Sequence, residues 1–431
     1  MKDKKTGLGN FSFGDLINVK IDNQEFNGEF IKTDESLLIV KLKSGYDIAL
    51  EHKDIDSVSL IEKSKIEKEN KTTGKVKTNG ADLTLITTGG TISSKIDYKT
   101  GGVSPSVDSS YYFKISPGLK NLGKITIVSL MQKLSENVLP SDWVDIAREA
   151  YSSIQEGSKR VIVTSGTDTM HFAASAMSFI LNPLSVPIVF TGSQRSTDRG
   201  SSDASTNLLM SAVTAKNFDV GESVICMHAN LNDEYNYILR GNKARKMHTE
   251  RRDAFRPINM KPLAKVYPDG RFIDVLDERI RKNNITRLND KIDSKVKLIY
   301  SYPSMGGDII DYYVENKVHG IVIAATGFGN LPLEEKTIIP ALKNAENKGI
   351  PITVTSQTVY GTTNKFVYST LREISKFENI IYVGDMTTET AFVKMMFALG
   401  QSKNLKDVKK LMLNPLAGEM KERSGTDEFL I

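Results

Sequence analysis

The residues in this chain best suited to chemistry lie in two hydroxyl-rich glycine loops, 76 residues apart from Thr91 to Thr167. The first lies within the stretch LTLITTGGTISSKIDYKTGGV, Leu83 to Val103. Its apolar run Leu83 to Ile86 reads as a buried strand that stops at Thr87-Thr88-Gly89-Gly90-Thr91. Adjacent glycines let a backbone turn sharply and approach a ligand without side-chain clash. In α/β sheets, ligands collect in such loops at the carboxyl ends of strands. Tyr98 and Gly101-Gly102 follow in a polar stretch, which reads as a hinged flap carrying one aromatic hydroxyl back over the loop. The second loop, Thr164-Ser165-Gly166-Thr167-Asp168-Thr169-Met170, repeats the logic: a buried strand, a hydroxyl-rich glycine turn, a helix start. Asp168 or Thr169 could serve merely as that helix's N-cap. Capping needs one such residue, however, and the loop supplies several. Neither GxGxxG nor GxxxxGK[ST] occurs, so a phosphate cradle is not indicated.

The elements that must position these loops alternate from residue 81 onward. Trp143, Ile146, Ala147, Ala150, Tyr151 and Ile154 form one apolar helical face, predicting a helix that begins near Ser141. Val161 to Thr164 reads as a buried strand, Met170 to Leu181 as a helix, Pro187 to Thr191 as a strand. Helix Ala204 to Thr214 and strand Ser223 to His228 continue the series. Such alternation predicts a mostly parallel sheet covered by helices. Residues 262 to 295 are polar and read as an irregular connection. A second α/β series starts at Val296 and runs to a C-terminal helix, Thr388 to Leu399.

Residues 14 to 62 are of another kind: five short β-type segments separated by turn-rich DNQ, KTDES, KSG and HKD. Five strands within about fifty residues predict a small SH3-like β-barrel. Residues 63 to 80, nearly without apolar side chains, read as a linker. The expected organisation is therefore a barrel domain over 1–62, a linker over 63–80, and α/β lobes over 81–290 and 291–431.

Composition narrows the function class. With 431 residues, 39% hydrophobic and 25% charged, the chain is an ordinary globular one of two or three domains. Its 57 basic and 52 acidic residues are interspersed, so a net charge of +5 does not by itself argue for nucleic-acid binding. No apolar run approaches the roughly 18 residues that span a bilayer. The N-terminal MKDKKTGLGN lacks the apolar core of a signal peptide. A lone cysteine, Cys226, permits no internal disulfide, and a cytoplasmic location is expected. Five scattered histidines (His52, His171, His228, His248, His319) show no ligand spacing, so no metal site is expected. GxSxG is absent, which argues against an α/β-hydrolase.

Taken together, TGGTI (88–92) and GTDTM (166–170) resemble the two signature loops of the L-asparaginase/glutaminase family, with TGSQR (191–195) and GIVIAATGFGN (320–330) in the family's order. The resemblance covers about residues 81–431 and implies that a threonine hydroxyl attacks a side-chain amide and releases ammonia. A threonine hydroxyl is a weak nucleophile and needs a neighbouring base or a positioned cation. By motif position, the resemblance makes Thr91 the nucleophile and Tyr98 its flap partner. It joins Thr167, Asp168 and Lys246 in a second triad. Asp168 would hold Lys246 in a buried pair, and the lysine, neutral or sharing a proton, would tune the Thr167 hydroxyl. Read without the resemblance, Lys246 is one of several cations with Lys243, Arg245, Arg251 and Arg252 on a solvated segment. Ser135 and Glu136 match the family's site for the substrate's α-carboxylate and α-amino groups. One departure is Ser165, where the family usually has histidine. Another is Phe328, where simple bacterial asparaginases often have a polar residue reaching a neighbouring protomer.

A barrel, a linker and an asparaginase-like body, with KMHTERRDAFRPIN (246–259), SENVLPSDW (135–143) and GEMKERSGTDEFL (418–430), resemble the glutaminase subunits of archaeal-type Glu-tRNA(Gln) amidotransferases more than free asparaginases. That resemblance implies glutamine as substrate and, as partner, the amidotransferase E subunit, which acts on Glu-tRNA(Gln). The expected assembly is a homodimer within a heterotetramer. No cofactor is expected in this chain; ATP and Mg are expected at the partner. Two other readings stand beside it: a free asparaginase with an added barrel, and an inactive asparaginase fold used for binding.

Overall fold

The computed structural model describes residues 11–12, 14–33, 36–42, 47–63, 81–90, 92, 94–97, 102–105, 110–197, 201–276, 279–423 and 425–430. The N-terminal unit is a five-stranded antiparallel sheet: β1 Leu16–Ile21, β2 Gln24–Thr33, β3 Leu37–Leu42, β4 Asp47–Glu51 and β5 Ser57–Glu62, ordered β4-β3-β2-β1-β5. Alternation in β1 and β3 sends Ile17, Val19, Leu38 and Val40 into a small core with Phe30 and Ile55. All five expected strands are present. Among the described residues no ladder joins β4 to β5, so the sheet is open at that seam.

The main unit is built on an eight-stranded mixed sheet. After β6, Leu83–Gly89, comes a two-stranded hairpin, β7 Ser94–Asp97 and β8 Gly102–Pro105, and the short helix α1, Ser110–Ile115. Then come β9 Ile125–Lys133, α2 Pro140–Gln155, β10 Val161–Thr164, α3 Met170–Ile180, β11 Ile188–Thr191, α4 Ala204–Asn217 and β12 Ser223–His228. β9, β6, β10, β11 and β12 are parallel neighbours in that order. The apolar strands β6, β10, β11 and β12 are buried throughout, as expected for strands covered on both faces.

Past β12 the chain departs from the parallel, then irregular, course that its sequence predicts. β13 Asn236–Arg240 adds antiparallel to β12. A two-stranded ribbon of β14 Ala244–Lys246 and β15 Phe255–Pro257 comes next. Then β16 Ala264–Val266 and β17 Phe272–Asp274 extend the main sheet, inside the span read as an irregular connection. The PDG at 268–270 is their turn, with Gly270 at φ +88°. A three-residue strand carries too little alternation to stand out in sequence; its neighbour in the sheet makes it a strand.

The second unit stacks four parallel strands, β18 Val296–Tyr300, β19 Gly320–Ala325, β20 Ile352–Ser356 and β21 Ile380–Tyr382. Helices α5 Asp308–Glu315, α6 Ile338–Asn347, α7 Ser369–Ile374, α8 Thr388–Gln401 and α9 Leu405–Leu413 surround it. Helix α9 goes beyond the sequence reading, which ends at Leu399. One contiguous core joins the two sheets: Ile86, Met177, Phe179, Val322, Met395 and Phe397 belong to it, and Phe179 stacks on Phe397 at 5.9 Å. Among the described residues, no helix is long and apolar enough to cross a membrane.

Candidate active site

The carboxyl ends of β6 and β10 lie side by side, with Thr87 in register with Thr164. The Thr88 hydroxyl donates to the Thr164 carbonyl at 2.9 Å and ties the two loop entrances together. Gly89 and Gly90 then take φ values of +102° and +79°, where a side chain is strained. A Cβ on Gly90 would fall 2.8 Å from the Ser165 carbonyl carbon and closer still to Gly166. The two glycine loops thus touch backbone to backbone, and the pairing of TGGT with SGTD is a contact. Ser135 completes the junction, since a Cβ on Gly166 would lie 2.7 Å from the Ser135 Cβ. Gly192 of TGSQR closes it from the far side, with room for no Cβ beside the Ser165 carbonyl at 2.6 Å. Thr91 and Tyr98 lie outside the described residues.

At the start of α3, Thr167 is buried and Asp168 exposed. Lys246 arrives on β14, held opposite Phe255 in the ribbon. Its Nζ donates to Thr167 Oγ1 at 2.9 Å and to Asp168 Oδ1 at 2.6 Å. Ser135 Oγ donates to Asp168 Oδ2 at 3.2 Å, and Thr169 Oγ1 donates to the Ser135 carbonyl at 2.7 Å. Thr167, Asp168, Lys246 and Ser135 are therefore brought into one hydrogen-bonded cluster. Neither Asp168 nor Thr169 caps α3 through its side chain, so the carboxylate is left to the lysine. Partial burial opposes ionisation of Asp168. The hydrogen bond and charge of Lys246 outweigh it, with help from Ser135, and hold the carboxyl below its ordinary range.

The Asp168–Lys246 pair is not buried, contrary to the expectation from sequence: the Lys246 side chain is 10% exposed and that of Asp168 63%. Glu136 sits exposed in a short 3-10 turn, Ser135–Asn137, and makes no hydrogen bond or ion pair to a described residue. Ser165 is buried; its N–H donates to the Thr191 carbonyl at 3.0 Å.

Sequence reasoning passed over His171, one turn beyond Thr167. It is buried against Phe172 and Phe255, with its Nδ1 unpartnered among the described residues. Burial, then the nearby cations Arg245 and Lys246, depress its pKa to about 3 against an opposing pull from Asp168. The imidazole is a neutral wall under the lysine. His171, Phe172, Arg245, Lys246, Asp168 and Glu389 line a cavity of about 410 Å³ beside the cluster. Helical spacing from Thr167 to His171 was the only signal, and it needed the position of Lys246 to mean anything. Among the described residues, no group of His, Cys, Asp or Glu is placed to hold a metal ion.

This arrangement suits acyl chemistry. A hydroxyl that accepts a hydrogen bond from a lysine keeps its own proton directed away from that lysine. Its oxygen lone pairs and that proton are then fixed in direction, as proton transfer to or from a reacting group requires.

Residues 82–281 match the family model "Asparaginase, N-terminal", and residues 295–412 match "Glutaminase/Asparaginase C-terminal domain". A protein of Methanobrevibacter smithii, named as the D subunit of glutamyl-tRNA(Gln) amidotransferase, is 39% identical over 430 residues, covering 97% of this chain and 96% of its own length. Its namesake from Pyrococcus horikoshii is 38% identical and covers 98% of both chains. Among solved structures, the thermostable L-asparaginase from Thermococcus kodakarensis superposes with a TM-score of 0.71 at 25% identity. That match covers 99% of the asparaginase but 79% of this chain. A probable cytoplasmic L-asparaginase from Campylobacter jejuni, 23% identical at a TM-score of 0.65, shows the same fold.

Proposed function

This chain belongs to the glutaminase/asparaginase family, and on that footing we propose that it is the glutaminase component of a tRNA-dependent amidotransferase. The observation that carries the reading is coverage. Relatives named as the amidotransferase D subunit match 97–98% of the chain, whereas the asparaginase structures match 78–79%. A free asparaginase has no counterpart for about a fifth of this chain, and the separately cored sheet at Leu16–Glu62 is a self-contained part of it. We read that sheet as a small SH3-like barrel used for docking.

In the proposed reaction the Thr91 hydroxyl oxygen attacks the side-chain amide carbon of glutamine, assisted by Tyr98. The carbon–nitrogen bond breaks, the hydroxyl proton leaves with the nitrogen as ammonia, and water then releases glutamate from the threonine ester. Thr167, Asp168 and Lys246 relay and orient protons for this reaction. The hydrogen bonds measured among them support that role. Ser135 and Glu136 receive the substrate's α-carboxylate and α-ammonium, and Glu136 is a carboxylate available for the ammonium. The ammonia serves a partner, the amidotransferase E subunit, which uses ATP and Mg to convert Glu-tRNA(Gln) to Gln-tRNA(Gln). The chain itself uses no cofactor, works in the cytoplasm, and assembles as a homodimer within a heterotetramer.

The test is ammonia release from glutamine by the isolated chain, and again with the partner and Glu-tRNA(Gln). Slow hydrolysis alone with strong stimulation by the full assembly is expected. Full-speed hydrolysis alone, unchanged by the additions, would favour a free asparaginase.

A further inference from the structure

Lys246 is delivered by a segment, 240–245, that the second unit and the C-terminal segment hold at four of its six residues. Arg240 pairs with Glu222 at 2.7 Å and donates through Nη1 to the Gly418 carbonyl at 3.4 Å. Asn242 donates to the Ala417 carbonyl at 2.8 Å, while its own carbonyl accepts from Thr390 Oγ1 at 2.8 Å. Lys243, fully buried, donates to the carboxylate of Asp385 at 2.5 Å and to its backbone carbonyl at 3.0 Å. Arg245 pairs with Glu389 at 3.2 Å. The next residue, Lys246, turns the other way, to Thr167 and Asp168.

The holding groups are themselves fixed. The second oxygen of Asp385 accepts from the Lys421 N–H at 2.8 Å. Glu419, fully buried, accepts from the Leu416 and Ala417 N–H groups at 3.0 and 2.7 Å and from the buried ammonium of Lys394. The chain end at 416–421 is therefore folded about one carboxylate and presents its carbonyls to Arg240 and Asn242. Burial lowers the pKa of Lys243, and Asp385 counters that effect. A buried ammonium with one carboxylate partner has a fixed direction, which an apolar side chain in the same space lacks.

We propose that Asp385 and Glu389 are positioning residues for Lys246, so that the second unit, with its C-terminal segment, sets the geometry of a proton relay built on the first sheet. The proposal rests on the reading that Lys246 serves amide hydrolysis. A displacement of about 1 Å at a reacting group costs on the order of 10²-fold in rate, so a few tenths of an ångström at β14 is enough to register in kcat.

The experiment separates position from stability. In Lys243→Met/Asp385→Leu the buried pair is replaced by apolar side chains of similar size, a change that is often neutral or stabilising. Assayed as the full chain with the partner and Glu-tRNA(Gln), this variant is expected to stay folded, with a melting temperature lowered only by the lost acceptor for the Lys421 N–H, and to keep its KM for glutamine within about two-fold, but to lose at least about ten-fold in kcat. Parent kcat in the folded double variant overturns the proposal. If the double variant does not fold, Glu389→Ala and Glu389→Gln decide. Alanine is expected to lower kcat at unchanged KM, and glutamine, which keeps an acceptor for Arg245, to recover most of it. Equal kcat in both overturns the proposal. Lys246→Met is run in parallel: parent activity there removes the reading of the site itself. An inactive Lys246→Met beside fully active positioning variants removes only the present inference.

Discussion

Two lysine–aspartate pairs stand three residues apart on one segment and differ in nearly everything else. Lys243–Asp385 is closed off, with both side chains at 2% exposure or less, and spans the two sheet units. Lys246–Asp168 lies at the mouth of the loop pair, with its carboxylate 63% exposed. Both are short hydrogen-bonded ion pairs. Around Lys243 the surroundings are complete: Asp385 satisfies the ammonium twice and a neighbouring N–H once. Around Lys246 a hydroxyl is included and one side faces solvent, so its protons have somewhere to go. The chemical identity of an ion pair therefore says little about its role. Whether the pair is sealed or open to a reacting group decides between structure and chemistry.

The largest expected effect breaks the open pair. Lys246→Met should lower glutamine hydrolysis by about three orders of magnitude or more, as expected for a member of a catalytic unit. Its melting temperature should stay near the parent's, because a pair with an exposed partner contributes about 0–1 kcal/mol. Thr167→Ala should match it in activity. Normal turnover by a folded Lys246→Met protein would sink the assignment.

Next in size is the contact between the loops. Gly90→Ala adds a Cβ where the Gly166 backbone already lies and at φ +79°. It should separate the loops and reduce kcat by about 10²-fold or more, while far-ultraviolet circular dichroism shows the rest of the fold intact. Activity within a factor of a few of the parent would mean that the loops tolerate separation.

The sealed pair gives the converse result. Lys243→Met leaves Asp385 buried without its ammonium partner, which costs about 3–5 kcal/mol. Urea or thermal unfolding measures this. A loss below about 1 kcal/mol would show that water reaches the site.

The smallest effect is one of pH. His171 titrates at about 3 in the folded chain, well below the free histidine value. Between those two pH values the unfolded chain binds a proton that the folded chain refuses. Its contribution to stability is therefore complete above about pH 6.5 and is lost as pH falls, by about 1.4 kcal/mol per unit. His171→Phe should remove that component, so the stability difference between variant and parent should shift toward the variant from pH 7 to 4. A difference that stays flat with pH would show that His171 takes up its proton over the same pH range folded as unfolded.

Much of the architecture is legible in sequence because its signals are local. Strands Val161–Thr164 and Ser223–His228 and the start of α3 coincide with apolar runs and glycine punctuation. The five N-terminal strands follow from alternation and turn residues. What escaped reading was held by neighbours. Helix α9, nine residues and lysine-rich, is too short to be stable alone and is fixed by Val408 and Met412 packing into the shared core. β16 and β17 are strands only because β13 offers an edge.

Residue order alone specifies the two glycine loops, the threonines in them and the strands available to the sheet, since backbone freedom at glycine and hydrophobic periodicity act over a few residues. Which cation of Lys243, Arg245, Lys246, Arg251 and Arg252 meets Asp168 is settled by long-range packing. That contact spans 78 residues and depends on β13 and β14 returning past β12 to the loop after β10. Packing also leaves Asp168 open to solvent while it seals Asp385, because burial is set by what other elements cover a residue, and no local pattern records it.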